Sequence, residues 1–138
     1  MDDALTRIMN IGFEYVGFWL ESEFKSGKIS SILSAPWGTK TEVLYAFVEE
    51  KSVLYVGYTA RRLSRRFTSY ENPGQRSSTD MKICGNIKKK LEASIQIDIY
   101  ALQNDIETSR GEFDVNVAAG LEKSIIRALE PRWNEVRT

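Results

Sequence analysis

Residues 42–48, EVLYAFV, constrain this chain more than any other segment. After Glu42 every residue is apolar, β-branched and aromatic types predominate, and there is no Gly or Pro, which specifies a strand. A strand with one wet face alternates apolar and polar residues. This one does not, so both of its faces must be covered, as in an interior strand between helices. A polar turn at 49–52 leads into a second apolar run, 53–56, that ends at Gly57. So short a connection requires an antiparallel hairpin.

The rest of the pattern surrounds that hairpin. Residues 2–9 place Leu5, Ile8 and Met9 at helical spacing, and 13–20 and 29–33 read as strands. After the hairpin, Leu63, Phe67 and Tyr70 fall on one helical face, and 72–74 (Asn-Pro-Gly) ends that helix. Residues 81–91 predict a second helix with a lysine-rich outer face. Residues 95–102 alternate as a half-exposed strand, and 103–117 form a long loop with room for a short hairpin. A last helix spans 118–129 and stops before Pro131. Phe13, Tyr15, Phe18 and Trp19 read as core, with a contact between protomers, and so a homodimer, as the other reading.

Composition removes whole classes of chemistry. The 138 residues contain no His, which excludes Ser-His-Asp triads, Cys-His dyads and His-ligated metals. Cys84 is the single cysteine, so no disulfide forms within the chain and no cysteine cluster holds a metal. A metal would have to be held by carboxylates, which favours Mg²⁺, Mn²⁺ or Ca²⁺. Met1-Asp2-Asp3 is acidic where a secretory leader is basic, and no apolar run nears the roughly 20 residues of a membrane span. The expectation is a cytoplasmic protein with no membrane partner.

Lys plus Arg equals Asp plus Glu, at 19 each, but the charge is unevenly placed. Between Tyr58 and Lys90 stand Arg61, Arg62, Arg65, Arg66, Arg76, Lys82, Lys88, Lys89 and Lys90, opposed only by Glu71 and Asp80. A basic block in a neutral chain suits an anionic partner meeting one face. Two solvated helix faces are the plainer reading.

Two charged residues sit where the helical period wants apolar ones. Glu122 projects inside the stripe formed by Leu121, Ile125, Ala128 and Leu129. It is either a residue near the helix N-terminus that the dipole favours, or a carboxylate at the floor of a cleft. Arg66 lies on the border of the Leu63–Phe67–Tyr70 face, with Arg62 one turn before it and Arg65 pointing away. Its stem either covers apolar surface with the head in water, or its head enters a shared cleft. A carboxylate and an arginine without His suit phosphoryl transfer, where cation and guanidinium share the phosphate charge.

Taken in order, Val43-Leu44-Tyr45, Tyr55-Val56-Gly57, Arg66, Glu122 and Pro131-x-x-Asn134 resemble the GIY-YIG nuclease family. Val43 stands in place of the first Gly and Val56 in place of Ile, and the resemblance runs from Thr41 to Val136. It implies an α+β fold, a small central antiparallel sheet flanked by helices, in agreement with the element order above. Residues 1–40 become an N-terminal helix/strand extension packed on the domain formed by 41–138.

The resemblance also implies a Mg²⁺- or Mn²⁺-dependent DNA endonuclease leaving 5′-phosphate and 3′-hydroxyl ends. Tyr45, Tyr55, Arg66 and Glu122 would be catalytic, with Glu122 the metal ligand. Tyr45 would position or deprotonate water, its phenol lowered by Arg66 and the metal. Gly57 would let backbone approach the site, and Asn134 would brace it. Arg62, Arg65, Lys82 and Lys88 would hold DNA phosphates. Tyr58 replaces the Lys or Ser that follows the second motif in relatives, and Tyr70 stands where many have His. A DNA-binding module without cleavage and an unrelated interaction domain are the other readings.

One geometric condition follows. Tyr45 and Tyr55 must share a face of the hairpin, so direct opposition predicts a three-residue loop, 49–51. A one-residue slip would send them to opposite faces.

Overall fold

The computed structural model describes residues 2–22, 27–75, 77–104 and 108–134. The elements run α1 (Ala4–Met9), β1 (Glu14–Glu21), β2 (Ile29–Leu33), a 3-10 turn (Trp37–Thr39), β3 (Val43–Glu49), β4 (Ser52–Thr59) and α2 (Leu63–Glu71). They continue with α3 (Ser78–Glu92), β5 (Ile97–Gln103), β6 (Ser109–Arg110), β7 (Phe113–Asp114) and α4 (Val117–Leu129). The fold is α+β: five antiparallel strands form one sheet in the order β2-β1-β5-β3-β4, and β6 pairs with β7 as a separate hairpin.

β3 lies between β5 and β4, and Val43 through Val48 are all buried, as their composition requires. On one sheet face Tyr45, Phe47, Leu54 and Tyr55 pack with Leu63, Phe67 and Tyr70 of α2 and Ile83 and Ile87 of α3. On the other face Leu44, Ala46, Val48 and Val56 pack with Ile8 of α1 and Ala118 and Ile125 of α4. The N-terminal segment is built into this sheet: β1 pairs with both β2 and β5, and Trp19 is fully buried among the aromatic rings. Phe13 is also buried, whereas Tyr15 is half exposed and packs edge-on against Tyr100.

The β3–β4 hairpin departs from the expected register. Tyr45 opposes Gly57, Phe47 opposes Tyr55, and Glu49 opposes Ser52, so only Glu50 and Lys51 form the loop. A two-residue loop alone would split the tyrosines between faces. A β-bulge between Phe47 and Val48 of the ladder prevents this by inserting Leu54 as an extra residue in β4. Val53 faces the α4 side, Leu54 and Tyr55 both face the α2 side, and Val56 returns to the α4 side. The bulge restores the parity that the loop removes.

Both sheet edges are covered rather than bare. On β2 the Ser31 N–H and hydroxyl donate to the Glu71 carboxylate, at 3.0 and 2.9 Å. On β4 the Asn134 side chain imitates a neighbouring strand. Its Oδ1 accepts from Val56 N at 2.9 Å, and its Nδ2 donates to Val56 O at 2.9 Å. Trp133 N adds a 2.8 Å bond to Leu54 O.

Candidate active site

The candidate residues lie on β3, on β4 and on helices packed against opposite faces of the sheet. α2 begins just after β4 and has the period expected of it: Leu63, Phe67 and Tyr70 are buried, and Arg66 is at the border. The Arg66 side chain is 26% exposed. Its Nε donates to the Tyr45 hydroxyl at 3.3 Å, and its guanidinium lies over the Tyr70 ring, 4.4 Å from the centroid. Burial opposes the Arg66 charge, but the oxygens of Tyr45, Tyr70 and Asp80 outweigh it, so its pKa rises.

Three tyrosine hydroxyls continue from that arginine. Tyr45 and Tyr70 are 2.6 Å apart, and Tyr70 donates to Tyr55 at 3.4 Å. Each hydroxyl has one proton. If Tyr70 gives its proton to Tyr55, Tyr45 must give its own to Tyr70, and among the described residues no acceptor takes the Tyr55 proton.

The hairpin tyrosines differ in access. Tyr45 is 1% exposed and Tyr55 is 8% exposed. Burial pushes the Tyr45 phenol up, and the neighbouring Tyr55 adds to this. Arg66 and the Tyr70 hydrogen bond pull the other way without reversing the shift. Arg66 by itself therefore does not lower the Tyr45 phenol in this geometry, because desolvation exceeds the help from the guanidinium. The Tyr55 phenol is also raised by burial, with a further contribution from the Glu122 charge.

Glu122 arrives from the other face. It is half-buried on α4, and the Tyr58 backbone N–H on the β4 edge donates to its carboxylate. Burial raises its pKa more than that hydrogen bond and Lys123 lower it. The Tyr58 hydroxyl donates to Glu42, and Asn116 Nδ2 bonds both Glu42 and, at 2.7 Å, the Tyr58 hydroxyl. Asn116 is also the N-cap of α4, accepting from Ala119 N at 2.9 Å. Tyr58 thus ties β4 to the start of the helix that carries Glu122.

Among the described residues, no group of three or more acidic or thiol side chains is placed to hold a metal. Glu122 still fits Mg²⁺ or Mn²⁺. It is an oxygen donor whose charge burial leaves poorly solvated, and Mg²⁺ commonly takes one or two carboxylates, completing its shell with phosphate and water.

The basic residues divide. Arg62 and Arg65 are exposed and, with Arg61 and Ser64, line an open groove at the start of α2. Lys82 is exposed on α3. Lys88 is not brought to the arginine groove. It lines a small cavity with Glu21, Lys28 and Leu91 at the far end of the β1–β2 pair. Lys90 is paired with Glu49 at 2.6 Å.

Asp80 is the functional candidate that periodicity misses. It accepts from Arg66 Nη1 at 3.3 Å and Nη2 at 3.0 Å. Its signal in the sequence is Ser77-x-x-Asp80, a helix-start pattern. Ser77 caps α3 by accepting from Asp80 N, so the helix starts at Ser78 rather than near Met81 and puts Asp80 in its first turn.

No protein-family model and no curated protein matches the sequence. Solved structures do match the fold. A mutant of endonuclease II (EndoII) of bacteriophage T4 superposes with a TM-score of 0.73 at 21% identity, over 96% of this chain and 99% of that one. A restriction endonuclease in complex with product DNA superposes with a TM-score of 0.57 at 14% identity, over 92% of this chain and 79% of that one. The likeness read from the motifs therefore extends to the fold: the chain folds as the phage endonuclease does over nearly its whole length.

Proposed function

We propose that this protein is a Mg²⁺-dependent DNA endonuclease of the GIY-YIG type. The observation that carries the reading is the convergence on Tyr55. Arg66 is linked through Tyr45 and Tyr70 to Tyr55, and Tyr55 also lies within the electrostatic reach of Glu122, a half-buried carboxylate supplied by a helix on the opposite sheet face. Two solved endonucleases with this fold, one holding product DNA, support the substrate class.

In this reading Glu122 would hold the cation, which when bound would supply charge neutralisation for the scissile phosphate. Arg66 takes the non-bridging oxygen as negative charge accumulates in the transition state. Tyr55, nearest to solvent and with an uncommitted proton, orients the attacking water. Tyr45 is buried and acts through Arg66 and Tyr70, as a positioning residue. Water adds to phosphorus and releases a proton to solvent, the P–O3′ bond breaks, and the leaving oxygen takes a proton from solvent, giving 5′-phosphate and 3′-hydroxyl ends. Arg61, Arg62 and Arg65 line the groove that grips the backbone, with little reading of sequence.

A binding module without cleavage is the second reading. It is favoured by one observation: Arg66 already gives three N–H groups to Tyr45 and Asp80. Plasmid nicking separates the two. Wild type is expected to nick in Mg²⁺ and not in EDTA, and Glu122→Ala in neither. DNA binding without nicking across several divalent ions would establish the binding module instead. Equal nicking by both proteins would remove Glu122 from the site. No helix of the described residues is long and apolar enough to cross a membrane.

A further inference from the structure

Arg66 has more partners than a residue that merely waits for phosphate needs. A guanidinium has five N–H donors. Nε is given to Tyr45, and Nη1 and Nη2 each give one to Asp80 in a two-pronged pair. The face of the group lies on the Tyr70 ring. Two N–H groups remain. The Asp80 side chain is only 12% exposed, and its backbone is held by the Ser77 cap at the N-terminus of α3. The helix dipole favours a negative charge there. The clamp is therefore built from two different helices, α2 and α3, and it fixes the plane of a long side chain.

We propose that Asp80 is a positioning residue: it holds the Arg66 fork in the orientation that the transition state of phosphodiester cleavage requires. The inference rests on the endonuclease reading above. A pre-fixed fork spends no ordering entropy at the moment of reaction, so its benefit falls on turnover rather than on DNA affinity. A carboxylate that instead competed with phosphate for Arg66 would have the opposite signature, since its removal would tighten binding.

The test compares wild type, Asp80→Asn, Asp80→Glu, Arg66→Ala and the Asp80→Asn/Arg66→Ala double variant. Plasmid nicking in Mg²⁺ is measured as kcat and KM, with duplex DNA affinity in EDTA by fluorescence anisotropy. All assays run well below each variant's unfolding temperature. Asp80→Asn is expected to lower kcat by about tenfold or more while KM and Kd move by less than about threefold. Asp80→Glu should recover part of that loss. In the Arg66→Ala background the Asp80 change should add less than about twofold, because its effect passes through Arg66. Asp80→Asn nicking at the wild-type rate, multiplying independent losses in the double variant, or tighter DNA binding by Asp80→Asn would each overturn the proposal and leave the endonuclease reading intact. A wild type that cuts no DNA would overturn that reading, and this role of Asp80 with it.

Discussion

The Tyr45 ring lies across the position where a side chain on Gly57 would stand. The two residues are directly opposed in the β3–β4 ladder, and a Cβ on Gly57 would come within 2.6 Å of both Tyr45 Cζ and Oη. Gly57 is therefore required by a side chain on the next strand, not by backbone torsion. Its absence of bulk is what allows the Tyr45 hydroxyl to reach Arg66 and Tyr70.

Gly57→Ala should displace the ring, since neither strand backbone can retreat. Overpacking of this kind costs about 1–3 kcal/mol. Thermal denaturation should show that loss, and nicking should fall by about tenfold or more as Arg66 loses its Nε partner. An unshifted Tm together with unchanged nicking would show that the ring relaxes freely.

Tyr45→Phe removes a hydroxyl that serves a buried partner, Tyr70, and a partly buried one, Arg66. Leaving a buried donor or acceptor unpaired costs about 1–3 kcal/mol. Because burial holds the Tyr45 phenol above its ordinary range, its ionisation should not shape the rate between about pH 7 and 9. The variant should therefore nick more slowly with the same pH profile as wild type over that range. Loss of a basic limb in the variant would show that Tyr45 ionises during turnover after all.

Glu122 offers a test by pH without cleavage. Its pKa is raised in the folded protein by burial, so the native state holds its proton to higher pH than the unfolded chain does. The stabilising contribution is complete below the ordinary carboxylate pKa and disappears as pH rises through the raised value. With no divalent ion present, Glu122→Gln should be as stable as wild type or more so at neutral pH, and the difference should vanish in acid. Denaturant midpoints at several pH values would measure it. A variant less stable than wild type at neutral pH would contradict the sign.

Asn134→Ala uncovers the β4 edge at Val56. Two hydrogen bonds are lost, for about 1–3 kcal/mol in total. The Val56 amide should exchange with solvent much faster, which hydrogen-exchange mass spectrometry would resolve. Unchanged protection there would mean that Trp133 alone holds the edge.

Replacing Arg61, Arg62 and Arg65 together with Gln should weaken DNA binding similarly on all sequences. If each contacts one phosphate, the slope of log affinity against log salt should fall by about 2.7. An unchanged slope would place the DNA elsewhere.

Much of this architecture follows from local pattern. The unbroken apolar run of β3 required cover on both faces, and the Leu63–Phe67–Tyr70 spacing defined the buried side of α2. Arg66 at the border of one stripe and Glu122 inside another were visible as misplaced charges, because a period exposes any residue that breaks it. The sequence by itself thus determined the order of the main elements, the buried faces of β3 and α2, and the residues that had to be explained. Three features were decided only in three dimensions. The parity of the tyrosines depends on a bulge at Leu54, which depends on how β4 meets β3 and not on any local motif. The pairing of Asp80 with Arg66 depends on the packing of α2 against α3. The high Tyr45 pKa depends on how many neighbours exclude water from its hydroxyl. Register, ion pairing and desolvation are properties of contacts between segments distant in the chain, and periodicity along one segment contains no information about them.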